Sequence, residues 1–281
     1  MIQRTLIDKR SVLSRTLSQG YLWLLLVVLY APIVLIIIFS FTKSKVFGNW
    51  TGFTLGLYEN LFTGYDALNQ VQVDPNLYRA LLYTIVIAFA AALLSTLLGT
   101  IAAIGIFNLR QRQKKAIMLL NSIPMINPDI ITGISLFLLF VFLGISRGLI
   151  TVIIAHVVFC TPYVILSVMP RLKKMNPNIY EAAMDLGASP AQAFFRVLVP
   201  ELRPGMISGF ILSLTLSIDD FGVTFFTKGS NGLETLSTFI YADARKGGLT
   251  PELRPLFSLI FLTILVLLII SNIRTSKQIK K

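Results

Sequence analysis

Glu181-Ala182-Ala183-Met184-Asp185-Leu186-Gly187, continued by Ala188 to Val199 and closed by Pro200, is a polar island between two long apolar spans. Its local signals spell two short helices set at an angle. Asn176 can N-cap the first, with Pro177 at its first position. Gly187 supplies the left-handed residue that ends it. Ser189 restarts the chain, Pro190 follows, and Gln192 completes a capping box. The second helix is expected to run toward Pro200, with Pro204 just before the next span. Ala182 and Ala183 keep one face thin enough for another backbone to approach. Glu181 and Asp185 lie one turn apart and offer negative charge to a basic partner.

The rest of the chain says what this island is embedded in. It has 281 residues, 55% of them hydrophobic and only 14% charged, with a mean hydropathy of +0.76. So little charge excludes an ordinary soluble domain and points to a polytopic membrane protein in contact with lipid. The net charge of +12 would suggest nucleic acid in a soluble chain. Here the basic residues fall in short segments between apolar spans, without the aromatic interleaving of nucleic-acid modules, so no nucleic-acid partner is expected. The single Cys160 lies in an apolar span and rules out a disulfide framework.

In order, apolar spans are expected at about 21–41, 80–107, 117–143, 149–169, 205–225 and 254–273. The first is longer than a signal-peptide core and lacks a small-residue cleavage pattern, so it reads as a retained transmembrane helix. Pro124, Asn127, Pro128 and Asp129 interrupt the third. Residues 42–78 read as a long mixed loop. In the loop 226–253, Leu233, Leu236, Ile240 and Ala244 recur at helical spacing and end near Gly247-Gly248. That segment reads either as a short helix at the outer face or as an ordinary capped loop. With the N-terminus inside, residues 1–20, the basic knot 110–115, the loop 170–204 and the tail 274–281 together carry 17 of the 25 Lys and Arg residues. This asymmetry orients six spans with both termini cytoplasmic and puts the Glu181 island on the cytoplasmic side.

The island, with its spacing Glu-Ala-Ala, three residues, Gly, nine residues, then apolar-x-apolar-Pro, resembles the EAA loop of bacterial ABC importer permeases. The residues that carry the likeness are Glu181, Ala182, Ala183, Gly187, Val197, Val199 and Pro200. Valines stand where that family favours Ile and Leu. The resemblance implies an all-α, six-helix type I ABC importer permease, its core at about 77–273, with a cytoplasmic coupling helix that docks into a groove of an ATP-binding subunit. No Gly-Lys dipeptide occurs in the chain, so it has no P-loop. ATP and Mg are then expected on partner subunits, with no cofactor in this chain.

Three carboxylates fall inside apolar spans: Asp129, Asp219 and Asp220. An acid in hydrocarbon costs roughly 2.5–3.5 kcal/mol on insertion scales, so these residues are expected to face a cavity. Adjacent helical residues point about 100° apart, so Asp219 and Asp220 share one groove only if the helix breaks there, and Gly222 allows a break. Asp129, after Pro128, reads either as the cap of a restarted half-helix or as a pathway group. With no Lys or Arg in the interior of these spans, a cationic solute suits the acids better than an anion. Phe221, Phe225, Phe226 and Tyr83 could add faces for an ammonium. His156 and Cys160 share a helical face, but two groups are too few for a metal site, and a packed, hydrogen-bonded His is expected.

Leu216-Ser217-Ile218-Asp219-Asp220-Phe221, together with Ser122 to Ser135 around Pro128-Asp129-Ile130 and with Gly247 to Glu252, is similar to permeases of bacterial spermidine/putrescine importers. The likeness runs from about residue 20 onward and implies a polyamine substrate. It also implies an inner-membrane assembly with a second homologous permease, an ATP-binding subunit dimer and an extracytoplasmic substrate-binding protein. Another small cationic solute is the alternative within this scheme. A self-sufficient ion-coupled carrier, using Asp129 and Asp219 as relays, is the alternative outside it.

Overall fold

A computed structural model of the chain describes residues 12–44, 46, 48–66, 71–176, 178–230 and 232–279. Arg4, Lys9, Arg10, Pro177, Lys280 and Lys281, which entered the reading above, lie outside the described residues. The chain divides into two compact units, one built from its two ends, up to Pro75 and from Asp243 onward, the other from Asn76–Ala242.

In the first unit, α1 (Val12–Phe39) packs along α12 (Leu253–Ile279), and α2 (Gly56–Thr63) also contacts α12. Every residue from Ser18 to Tyr30 is exposed, among them Trp23, Leu24, Val27 and Val28. A run of that kind needs hydrocarbon around it, not water. The segment expected as a plain loop, 42–78, is more ordered than its composition suggested. It holds α2, a Thr42–Phe53 bridge and a hairpin of β1 (Tyr65–Asp66) and β2 (Val71–Gln72). Leu57 and Leu61 bury one face of α2, and Gly64 ends it at φ +71°. Ser40 Oγ and Tyr58 Oη share a 2.8 Å hydrogen bond, and Phe41 stacks on Phe53.

The second unit is organised on α6 (Leu149–Lys174). Against it lie α3 (Pro75–Phe107) and the long helix made of α8 (Pro190–Ala193), a π-helical turn (Phe194–Leu198) and α9 (Val199–Asp219). On α9, Gly205, Gly209, Ser213 and Ser217 recur every four residues and are all buried. A Cβ on Gly205 would come within 3.0 Å of Arg171 Cγ, and one on Gly99 of α3 within 2.7 Å of Val164 Cβ. Small residues therefore let three backbones approach one another, the usual solution where hydrocarbon supplies no hydrophobic drive.

Among the described residues, four helices are long and apolar enough to cross a membrane: Ser18–Phe39, Pro75–Phe107, Leu149–Lys174 and Pro190–Asp219. The third expected span is instead a bent pair, α4 (Gln111–Ile126) and α5 (Asp129–Phe142), with 104° between them. Asn127 is extended at φ −71°, ψ 138°, as a residue before proline prefers, and Pro128 starts α5 from the N-cap position, where it forfeits no helical hydrogen bond. The apolar part of α12 among the described residues, Leu253–Thr263, is shorter. Among the described residues, length and composition thus reach four or five spans, and the expected count of six is not confirmed.

Candidate functional site

The elbow after α6 forms much as its sequence dictates. Helix α7 (Ile179–Asp185) starts two residues later than expected, with Asn178 at its N-cap, and Asn176 Oδ1 accepts from the Asn178 amide at 3.0 Å. Gly187 ends it at φ +88°, with Ala188 N–H donating to Ala183 O at 3.1 Å. The Ser189–Gln192 capping box closes in both directions, at 3.3 and 3.0 Å. Tyr180 Oη reaches Pro190 O, tying the two arms together. Glu181, Ala182, Asp185 and Leu186 are exposed. A cavity of about 430 Å³ opens at the base, lined by Ile104, Phe107, Leu172, Tyr180, Glu181 and Phe194 among others.

Pro200 does not end the second arm. The helix runs from Pro190 to Asp219 without interruption. The Val199 amide bonds five residues back to Phe194 O, and this wider π turn is where the backbone accommodates Pro200 and enters the span. The second arm of the elbow and the following span are therefore one continuous helix.

The three intramembrane acids meet at a second place. α9 stops at Asp219; Asp220 is extended at φ −65°, ψ 129°, and α10 (Gly222–Thr227) follows. The break allowed for at Gly222 thus exists. It lies against the α4–α5 break, because Gly222 packs on Asp129 and Ile130, and a Cβ on Gly133 of α5 would meet Gly222 O at 2.7 Å. Two interrupted helices touch where each is interrupted, and both contribute acids.

These acids have different surroundings. Asp219 and Asp129 are exposed. Asp129 is the first residue of α5 and not its cap, a position held by Pro128, and its charge suits the positive end of that helix. Asp220 is 4% exposed and its carboxylate is hydrogen-bonded through both oxygens. It accepts from Val223 N at 3.1 Å, Thr224 N at 2.8 Å and Thr224 Oγ1 at 2.8 Å, with His156 Nε2 at 3.4 Å. The two adjacent acids therefore do not share a groove: Asp220 turns inward and caps α10, while Asp219 turns outward.

His156, fully buried on α6, is the hydrogen-bonded histidine expected, with a role that the sequence did not reveal. Its Nδ1 lies 2.6 Å from Ser217 Oγ and its Nε2 2.9 Å from Thr224 Oγ1. The Thr224 proton goes to Asp220, so Nε2 carries the hydrogen that Thr224 Oγ1 accepts. Ser217, Asp220 and Thr224 recur at helical spacing of three and four, a polar stripe that is the one sequence signal for this clamp. Ser237 Oγ adds a 2.6 Å bond to Asp220 O. Cys160 Sγ donates weakly to Ser213 O.

The four rings expected as ammonium faces do not lie together, Phe226 sitting edge-on to Phe225 at 5.4 Å. Phe221 and Phe225 lie 5.3 Å apart, and Tyr241 of α11 (Leu236–Arg245) stacks beside them at 4.9 and 5.8 Å. Tyr83 instead packs with Ile87, Val152 and Leu233. The helix α11 confirms the periodicity read around Leu236 and Ile240.

The family model described as "Binding-protein-dependent transport system inner membrane component" matches residues 95–275. The spermidine/putrescine transport system permease protein PotC of Haemophilus influenzae is 34% identical over 262 residues, which cover 93% of this chain and 97% of that protein. The putrescine transport system permease protein PotI of Escherichia coli K12 is 37% identical over 239 residues, covering 83% and 81%. A crystal structure of a bacterial ABC transporter that imports the acidic polysaccharide alginate contains a chain of similar fold. Its TM-score is 0.66 at 14% identity, over 95% of this chain and 98% of that one, a likeness of fold alone.

Proposed function

The chain belongs to the family of binding-protein-dependent transport system inner membrane components, and from that premise we propose that it is the permease subunit of an ATP-driven polyamine importer. Permease subunits of this family are transporter components and not enzymes. Spermidine and putrescine are its cargo in this reading, as in the names of its relatives. The observation that carries the cargo is the meeting of two helix breaks with Asp129 and Asp219 exposed beside a buried Asp220. Neither α5 nor α10 contains a Lys or Arg to neutralise them. Asp129 and Asp219, without a Lys or Arg ion-pair partner among the described residues and set at an unwound backbone, suit a polycation.

In this scheme both termini are cytoplasmic and a soluble binding protein delivers the polyamine from the opposite face. Asp219 and Asp129 take its ammonium groups, and a second permease supplies the other wall. Glu181, Ala182, Ala183 and Gly187 form the coupling surface, with Leu186 at 89% exposure as its apolar contact. The ATP-binding subunits hold ATP and Mg. Because Pro190–Asp219 is one helix, displacement of the elbow is carried along a single rod to Asp219.

The test is uptake of labelled putrescine and spermidine by vesicles containing the full complex. Asp219→Asn should lower uptake at least tenfold with assembly retained, and Asp219→Glu should recover part of it. Uptake at the parental rate in Asp219→Asn and Asp129→Asn together, or uptake driven by an ion gradient without ATP, would refute the assignment.

A further inference from the structure

Beyond the carboxylates, the α9–α10 break carries an aromatic surface, of which the sequence offered Phe221 and Phe225 as faces for an ammonium. Phe221 follows Asp219 by two residues, and Phe225 lies one helical turn further, about 5.4 Å along the axis. Tyr241 completes the cluster from α11, with ring centroids 4.9 Å from Phe221 and 5.8 Å from Phe225. Phe225 and Tyr241 remain 38% and 42% exposed. Exposure of an apolar ring means little in a chain surrounded by lipid. Phe221, however, follows the exposed Asp219 by two residues across the same break, and a carboxylate does not face lipid. That neighbourhood in the chain is the ground for placing Phe221, and the two rings stacked on it, beside the pathway.

The cluster also holds an alkylammonium already. Lys228 Nζ lies 5.9 Å from the Phe225 ring centroid and 3.4 Å from Glu234 Oε1. An aromatic face with a carboxylate beside it is the pairing that a primary amine of a polyamine would need, and Lys228 shows that such a cation fits at this edge of the ring.

We propose that Phe221, Phe225 and Tyr241 form a second ammonium-binding subsite, so that a di- or polyamine bridges from Asp219 and Asp129 to the aromatic faces. This rests on the polyamine reading. It adds that the aromatic faces, not a further carboxylate, receive the second amine. A monoamine would occupy the carboxylate end alone.

The experiment replaces Phe225 with mono-, di- and trifluorophenylalanine in the complete complex, which keeps ring volume while draining its negative face. Initial putrescine uptake is measured in vesicles at matched complex content. Uptake should fall stepwise, by about fivefold across the series; Phe225→Leu should match the lowest value and Phe225→Tyr should retain most of the rate. A flat fluorine series, or a Phe225→Leu variant at the parental rate, overturns the subsite while leaving the cargo reading intact. Parental vesicles that accumulate neither putrescine nor spermidine overturn both.

Discussion

The two helix breaks that meet at the acids are held open by different means. At Asn127-Pro128 the break is covalent in origin: proline forces its neighbour into extended backbone, and α5 starts from Pro128 with no side-chain cap. At Asp220 the break is tertiary. A buried carboxylate caps α10, and His156, which is 61 residues from Ser217 and 68 from Thr224, fixes both sides of the gap. The first break costs the fold little and leaves its acid exposed. The second depends on a buried polar network in which each member is satisfied only while the others are present.

That contrast orders the expected effects of substitution. Asp220→Ala should be the most damaging. It uncaps α10 and leaves the Val223 and Thr224 amides and the Thr224 hydroxyl without their acceptor, a loss of about 1–3 kcal/mol for each donor left buried and unpaired. The thermal midpoint and yield of the assembled complex report it, and a parental midpoint would contradict the capping role. His156→Leu should cost about 1–3 kcal/mol through the stranded Ser217 and Thr224 hydroxyls. Its uptake should fall further than its stability, because the aim of Asp219 is lost. Equal falls would reduce His156 to packing.

Gly133→Val tests the contact between the breaks. A Cβ there meets Gly222 O at 2.7 Å, a backbone atom that cannot rotate away. An overpacking cost of about 1–3 kcal/mol is expected, with uptake reduced in parallel. The smallest effect should come from Pro128→Ala, below about 1 kcal/mol, since the tertiary contact with α10 still holds the 104° bend. A large loss at Pro128 with tolerance at His156 would invert the comparison.

Legibility followed the same division. Gly187, Ser189 and Gln192 could be placed from the sequence because helix caps are decided within about four residues. The apolar spans were legible for a similar reason, since partition into hydrocarbon depends on local composition. Pro200 misled because its effect depends on the hydrogen-bond register around it, and a π turn in front of it let the helix continue. The hairpin at Tyr65 and Val71 escaped notice because four strand residues leave too short a pattern. Tyr83 and Tyr241 could not be ranked as partners of Phe221, because aromatic contacts across helices leave no periodic trace in one chain.

The sequence by itself determined that this is a helical membrane subunit with a capped polar elbow and three acids in apolar surroundings. Each of those properties is summed over neighbouring residues. Only the tertiary structure decided that Asp220 turns inward to His156 while Asp219 turns outward, and that the breaks at Pro128 and Asp220 coincide. Asp220 takes its bonds from Val223 and Thr224, three and four residues on, but the break that allows this is spanned by His156, more than sixty residues away, and by glycines whose value lies in what another helix brings against them.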